Sequence, residues 1–387
     1  MPEATVQASI RLDHIRHNVD VLGSQSQPAR LMAVLKADAY GHGLPTVAST
    51  LANAGVSAFA VARVHEAVAL RNAGLRGLIL VLAPPTVDEL PLFVRHALHA
   101  SVTSPQVAEL LINASLSAPL PIHLKVDTGM HRLGVDATQA ASWWTRLHNA
   151  PSVRPDGVYT HLATANTPDH PLNETQLQRF QQVLKALSPS PHTVHVANTD
   201  ALVNLQETLP KNTQYVRCGL GLYGLTSTPS SPSISPVHDA LRPALALSAR
   251  VLHVHTVPQG ETVSYGAQWT APSDTCVATI GIGYGDGYPR AATGKAEVRV
   301  HGTRRPLVGT VCMDLCMVDL GAPTSPLAQR TNPGDHVVIF DEQGPTLHEV
   351  AAWSGTIPYE ICCQLAPRVP RTYLDRDTVC TGPHGTI

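Results

Sequence analysis

The chain has 387 residues, 43% of them hydrophobic, and a formal net charge of -2. That length exceeds one ordinary compact domain and predicts two, with enough apolar residues for a substantial core in each. No excess positive charge is available to hold a phosphate backbone, which excludes nucleic acid as a partner class and leaves a small molecule as the expected ligand.

In chain order, residues 1–13 are expected to form a strand that joins the C-terminal domain. Residues 14–240 then carry eight short apolar, β-branched runs, near Leu31–Leu35, Ala58–Ala62, Leu78–Leu82, Ala100–Thr103, Ile122–Val126, Gly157–Tyr159, Thr193–Val196 and Tyr215–Arg217. Helical stretches such as His65–Asn72 and Glu174–Leu187 lie between them. Eight strand-helix repeats predict an α/β architecture, a (β/α)8 TIM barrel. Lys36, Lys125, His161, Asn198 and Arg217 all fall at or just past the C-terminal end of an expected strand, the rim where such barrels keep their active sites.

After Tyr223 the stretch LTSTPSSPSISPVHD lacks periodicity and is expected to be a linker without helix. Residues 241–387 form the second, mostly β domain, with β-rich segments at Ala244–Val254, Thr275–Ile282, Glu297–Val300, Val308–Leu320 and His336–Phe340.

The N-terminus carries an early acidic residue and lacks the apolar run of a secretory signal, and no stretch approaches membrane-spanning length. Seven cysteines, an odd number mostly in apolar runs, read as reduced, buried thiols. A cytoplasmic location without membrane association is therefore expected. Cys312 with Cys316 and Cys362 with Cys363 have no second pair at finger spacing, and the 20 histidines are scattered without an HExxH helix. No catalytic metal is expected.

The run Leu31-Met32-Ala33-Val34-Leu35 places the amine of Lys36 at the barrel mouth beside Tyr40 and Gly41-His42-Gly43. Desolvation lowers a lysine's pKa, and a neutral amine condenses with an aldehyde to the Schiff base that holds pyridoxal phosphate. Taken alone, a snorkelling lysine at a strand end explains the same residue.

AVLKADAYGHG resembles the cofactor-lysine motif of the alanine racemases, pyridoxal-phosphate enzymes of fold type III. The resemblance continues through HLKVDTGMHRLG, THLATAN, VHVANTD, VRCGLGLYG, VSYGAQW, GYGDGYPR, VCMDLCMVDL and TIPYEICCQLAPRVPR, nearly the whole chain. The glycine-rich GIGYGDGYPR has no strand-turn-helix with GxGxxG order around it, so a nucleotide loop is not expected there.

The resemblance implies interconversion of L- and D-alanine, supplying D-alanine for peptidoglycan, by a homodimer with shared active sites and pyridoxal 5'-phosphate as cofactor. Lys36 would hold the cofactor and act as base on one face of the α-carbon. Tyr265, reaching into the partner's barrel, would serve the other, because inversion needs proton removal and delivery on opposite sides. His161 and Arg217 are the expected helpers of a tyrosine whose reference pKa is about 10.

Arg217 would lie against the cofactor's pyridine nitrogen, where an arginine cannot accept a proton, so the electron sink is weakened. Tyr40, Thr199, Gly219, Leu220 and Tyr359 would hold the phosphate, and Asn198 belongs to the same set. Thr199 and Cys218 stand where the family commonly has serine and proline. The family pattern also has a carbamylated lysine at Lys125 orienting Arg132, which with the Met313 backbone amide of the partner addresses the substrate carboxylate. Tyr284 and Tyr359 would narrow the entrance. Discrimination by pocket volume is on the order of 1–3 kcal/mol per methylene, which leaves serine and broader-specificity racemases open. A fold-type III decarboxylase, a pyridoxal-phosphate carrier built on the barrel alone and a cofactor-free barrel hydrolase are the other readings.

Overall fold

The computed structural model describes residues 4–227, 236–375 and 378–380. The chain divides into two compact units, one spanning Ile15–Leu241 and one combining the N-terminal segment up to His14 with the chain from Arg242 onward.

In the first unit eight parallel strands close on themselves: Arg30–Val34, Ala58–Val61, Leu78–Val81, His99–Val102, Leu120–Asp127, Val153–Tyr159, Thr193–His195 and Tyr215–Cys218. The last pairs back onto the first through Arg217↔Met32. The unit is the (β/α)8 barrel expected from the repeats. Its strands read as unbroken apolar runs because a barrel strand is covered on both faces, and Ala58–Val61 is buried at every position.

The helices between the strands start where local chemistry permits. Helix Pro105–Ile112 has proline in its first turn, and the hydroxyl of Ser104 accepts from the Val107 amide. The largest boundary difference is at the sixth strand, which begins at Val153, four residues before the expected start at Gly157. Pro155 lacks a backbone donor and reads as a break; a register shift opposite Ile122 and His123 absorbs it.

In the second unit Val6–Arg11 pairs antiparallel with the 13-residue strand Leu245–Val257 and parallel with Arg371–Asp375. Its alternation puts Val6, Ala8 and Ile10 inside. Leu245–Val257 also pairs with Thr275–Ile280 and His336–Phe340, so this unit is mostly β.

Two expectations are corrected. Val308–Leu320 is not one β segment: strands Thr303–Val308 and Cys316–Gly321 flank a loop, entered at Gly309 with φ +69, where an added Cβ would lie 2.6 Å from the Val263 carbonyl. The Ser/Pro stretch is not wholly without helix, since Pro236–Ala240 forms a single turn whose proline occupies a position needing no amide donor. Residues 228–235 of that stretch lie outside the described residues. No helix among the described residues is long and apolar enough to cross a membrane.

Candidate active site

The first barrel strand ends at Val34, and Lys36 opens a turn of unusual hand. Ala37, Asp38, Ala39 and Tyr40 all have φ +54, a left-handed conformation disfavoured for residues with a Cβ. Fixed acceptors hold it. Glu66 accepts from the Ala37 amide at 2.7 Å and Asp38 accepts from the Leu44 amide at 2.7 Å, while the turn's own carbonyls take Gly41 and Gly43. The result fixes Lys36 at the strand end and swings Tyr40 into the barrel, with Lys36 Nζ 5.8 Å from the Tyr40 ring.

Tyr40 leads to the eighth strand. An added Cβ at Gly219 would lie 2.5 Å from Tyr40 Oη, so only glycine lets the phenol approach this backbone. The Thr199 hydroxyl accepts from the amides of Gly219 and Gly221 at 3.3 and 3.2 Å. Hydroxyls and amides of Tyr40, Thr199, Gly219 and Leu220 thus converge on one turn, a donor set suited to a phosphate. Asn198 caps helix Thr199–Leu205, its side-chain oxygen accepting from Ala201. Cys218 lies buried beneath, its thiol pushed up to about 12 by burial, so it stays protonated and fills space.

Arg217 is buried with its donors engaged. Nη1 donates to His195 Nδ1 at 2.9 Å; Nη2 donates to the carbonyls of Thr160 and Val196 at 2.7 and 2.8 Å, one of its two hydrogens being shared with His161 Nδ1 at 3.1 Å. Burial lowers Arg217 to about 10, still protonated at neutral pH. Burial, then the charges of Arg217, Lys125, Arg132 and Lys36, hold His161 well below the usual imidazole range, so it stays neutral.

Tyr159, which the sequence reading did not single out, is the plate between these cations. Lys125 Nζ lies 5.1 Å and Arg217 Cζ 5.2 Å from its ring centre, and His195 stacks on it at 4.6 Å. Its hydroxyl donates to Ser101. Lys125 is lowered to about 7 by burial and then by Arg217 and Arg132. Arg132 itself is exposed, on a loop turned by Asp127, whose carboxylate accepts from Gly129, Met130 and His131.

The barrel therefore gathers Lys36, Tyr40, Lys125, Arg132, His161, Thr199, Arg217, Gly219 and Leu220 at one end. An amine on a rigid turn, a hydroxyl-and-amide cradle and a buried donor-only guanidinium fit a phosphate-bearing aromatic aldehyde.

The remaining residues lie on the β unit. Tyr265 is 74% exposed and its carbonyl accepts from Thr310, while Ser264 donates to the Thr310 carbonyl at 2.8 Å. Tyr284 and Gly285 donate their amides to the carbonyls of Cys312 and Met313. One loop, residues 309–315, thus brings together Tyr265, Tyr284 and Met313; the latter two are 43% and 54% exposed. Tyr359 is on helix Pro358–Gln364 of the same unit. Among the described residues no three His, Cys, Asp or Glu side chains are grouped to hold a metal.

A closed barrel with this strand-end set, followed by a separate β unit, is the architecture of an amino acid racemase. The family profile described as "Alanine racemase, N-terminal domain" matches residues 10–227, and "Alanine racemase, C-terminal domain" matches residues 244–373. The chain belongs to the alanine racemase family. It is 38% identical over 391 residues to an alanine racemase of Desulfosudis oleivorans, covering 96% of this chain and 97% of that protein. A similar likeness, 38% over 375 residues, joins it to an alanine racemase of Halorhodospira halophila, covering 96% and 99% of the two chains. Among solved structures, the biosynthetic alanine racemase of Pseudomonas aeruginosa aligns with a TM-score of 0.86 at 33% identity, covering 96% of this chain and all of that one.

Proposed function

We propose that this chain interconverts L- and D-alanine with pyridoxal 5'-phosphate held at Lys36, in a homodimer whose subunits complete each other's sites. The carrying observation is Arg217, a buried guanidinium with four partners and no acceptor capacity. A carboxylate facing the cofactor ring would keep its nitrogen protonated; a guanidinium does not, which favours return of the proton to the α-carbon over side reactions.

When bound, the cofactor supplies the electron sink that makes the alanine α-proton removable. Lys36 moves the proton on one face of the α-carbon. Tyr265 of the partner subunit moves it on the other; its exposure beside Met313 and Leu315, also exposed, supports a face that docks onto a second copy. His161 receives a hydrogen bond at Nδ1 from Arg217, so its proton resides on Nε2, available to donate to the phenol oxygen of the partner subunit's Tyr265. Tyr40, Thr199, Gly219, Leu220 and Tyr359 hold the phosphate, with Asn198 fixing the helix start at the cradle.

Lys125, its pKa lowered to about 7 by burial and the neighbouring arginines, adds carbon dioxide at Nζ with release of a proton. The anion so formed orients Arg132 toward the substrate carboxylate, shared with the partner's Met313 amide, while Tyr284 and Tyr359 narrow the entrance. The buried thiols of Cys218, Cys276, Cys316 and Cys362 support a reducing, cytoplasmic setting, where D-alanine enters peptidoglycan synthesis.

The test is solvent deuterium incorporation at the α-carbon of L-alanine, together with formation of D-alanine, for the wild type, Lys36→Ala and Tyr265→Phe. Inversion by the wild type alone supports the two-base reading. An untouched α-carbon in wild type carrying the cofactor would overturn alanine as substrate.

A further inference from the structure

Three histidines, two buried and one half-buried, run lengthwise through the barrel beneath Arg217. His195 ends the seventh strand, His123 is in the middle of the fifth, and His99 begins the fourth at the opposite rim. His195 Nε2 lies 2.9 Å from His123 Nδ1, and His123 Nε2 lies 3.1 Å from His99 Nδ1. The path is built for this occupancy: His123 and His195 are fully buried, and any Cβ at Gly157 would collide with His123.

The direction of every bond follows from Arg217. A guanidinium only donates, so His195 Nδ1 accepts and its proton is on Nε2. That proton is donated to His123 Nδ1, which places the His123 proton on Nε2, and the same step makes His99 Nδ1 an acceptor. All three rings are neutral and of one tautomer. Reversing any ring sets two N–H groups against each other.

We propose that His99, His123 and His195 are positioning residues for Arg217, a single-tautomer column that holds the guanidinium's aim from the far rim of the barrel. The inference rests on Arg217 facing the cofactor ring in the reading above.

His99 is the junction with the far rim. Its Nδ1 is 3.5 Å from Asp156, which favours a proton there, whereas the column needs that nitrogen bare. Burial foremost, and then the charges of Arg154 and Arg71, outweigh Asp156 and lower His99 below the ordinary imidazole range. The column is therefore intact at neutral pH and is broken at its His99 end when that ring takes a proton.

Histidine nitrogen NMR on the holoenzyme at pH 7, with each ring assigned by its own variant, reads the tautomers directly. Bare Nδ1 with protonated Nε2 at His99, His123 and His195 is expected; a protonated Nδ1 on any of them overturns the column. A second arm tests positioning. His123→Leu interrupts the column, whereas His123→Gln accepts from His195 and donates to His99 with the same polarity. Loss of this hydrogen bonding is expected to lower kcat on the order of tenfold in His123→Leu, with KM for alanine nearly unchanged. His99 in that variant should titrate about one pH unit higher, having lost a donor to its neutral form, and His123→Gln should restore both. Equal kcat in both variants overturns the positioning role. If His123→Leu does not fold, the wild-type tautomers and the His99 titration in His123→Gln decide. The tautomers need no turnover, so an inactive wild type would overturn the racemase reading without touching the column.

Discussion

Arg217 donates through Nη2 to His161 Nδ1 over 3.1 Å while the same nitrogen reaches the carbonyls of Thr160 and Val196. One guanidinium thus both closes the backbone at two strand ends and sets the tautomer of a neighbouring imidazole. Lysine keeps the charge but not the planar fork. Arg217→Lys is expected to strand two buried carbonyls, at about 1–3 kcal/mol each, and to lower kcat on the order of 10²-fold. Thermal unfolding and steady-state kinetics on one preparation check both, and a stable variant with intact kcat would show that the fork is dispensable.

Tyr265 separates catalysis from stability. With 74% of its surface exposed, its hydroxyl contributes little to the fold of the isolated subunit. Tyr265→Phe is expected to unfold within about 0.5 kcal/mol of wild type and to lose on the order of 10²–10⁴-fold in inversion. Deuterium exchange should persist for the enantiomer whose α-proton faces Lys36. Exchange lost equally from both enantiomers would argue against two bases.

For Lys125 the sign follows from its folded pKa of about 7 against about 10.4 in an unfolded chain. Between those values the unfolded chain binds more protons, so stability rises with pH across that window. In buffer freed of carbon dioxide, Lys125→Met is expected to be most advantaged over wild type below pH 7 and to lose that advantage by about pH 10. With ¹³C-bicarbonate, wild type should give a carbamate resonance that is absent from the variant. Denaturation across pH and carbon NMR read the two effects separately.

Much of this was legible in the sequence because barrel strands are apolar on both faces and end in polar residues. Leu31–Leu35 leading into Lys36 needs no tertiary information to be seen. The left-handed turn at Ala37–Tyr40 was not legible, since four consecutive residues with a Cβ at positive φ contradict local propensity and persist only through Glu66 and Asp38. His123, Tyr159 and His195 were missed for a different reason. His123 lies mid-strand while Tyr159 and His195 close theirs, each short of the rim where His161 and Asn198 stand, and a polar residue pointing into a barrel has no periodicity of its own. The Gly309 break in Val308–Leu320 depends on a contact with Val263, distant in sequence.

The Thr199 hydroxyl gathers the amides of Gly219 and Gly221. The working group is the oxygen and not the methyl. Thr199→Ser is expected to keep the cofactor dissociation constant within about twofold, whereas Thr199→Val should raise it on the order of tenfold, the loss of one hydrogen-bonding hydroxyl. Gly219→Ala should weaken binding similarly by displacing Tyr40. Equilibrium titration of the apo-protein, followed by cofactor absorbance, distinguishes these from effects on turnover.

Glu66 links backbone strain to the reactive amine. Its carboxylate accepts from the amides of Ala37, Ala62 and Arg63 at 2.7, 2.9 and 2.8 Å, joining the left-handed turn to the start of helix Val64–Asn72. Without it the turn keeps its unfavourable φ values and loses the acceptor that opposes them. Glu66→Ala is therefore expected to cost about 1–3 kcal/mol, from orphaned amides and a lost helix cap. Because Lys36 immediately precedes the turn, the same change should slow attachment of the cofactor at Lys36. Glu66→Gln retains an acceptor oxygen and should recover part of both. The rate of cofactor absorbance change on reconstitution, compared with the unfolding midpoint, tests the link: destabilisation with a wild-type attachment rate would mean that the turn holds its shape without Glu66.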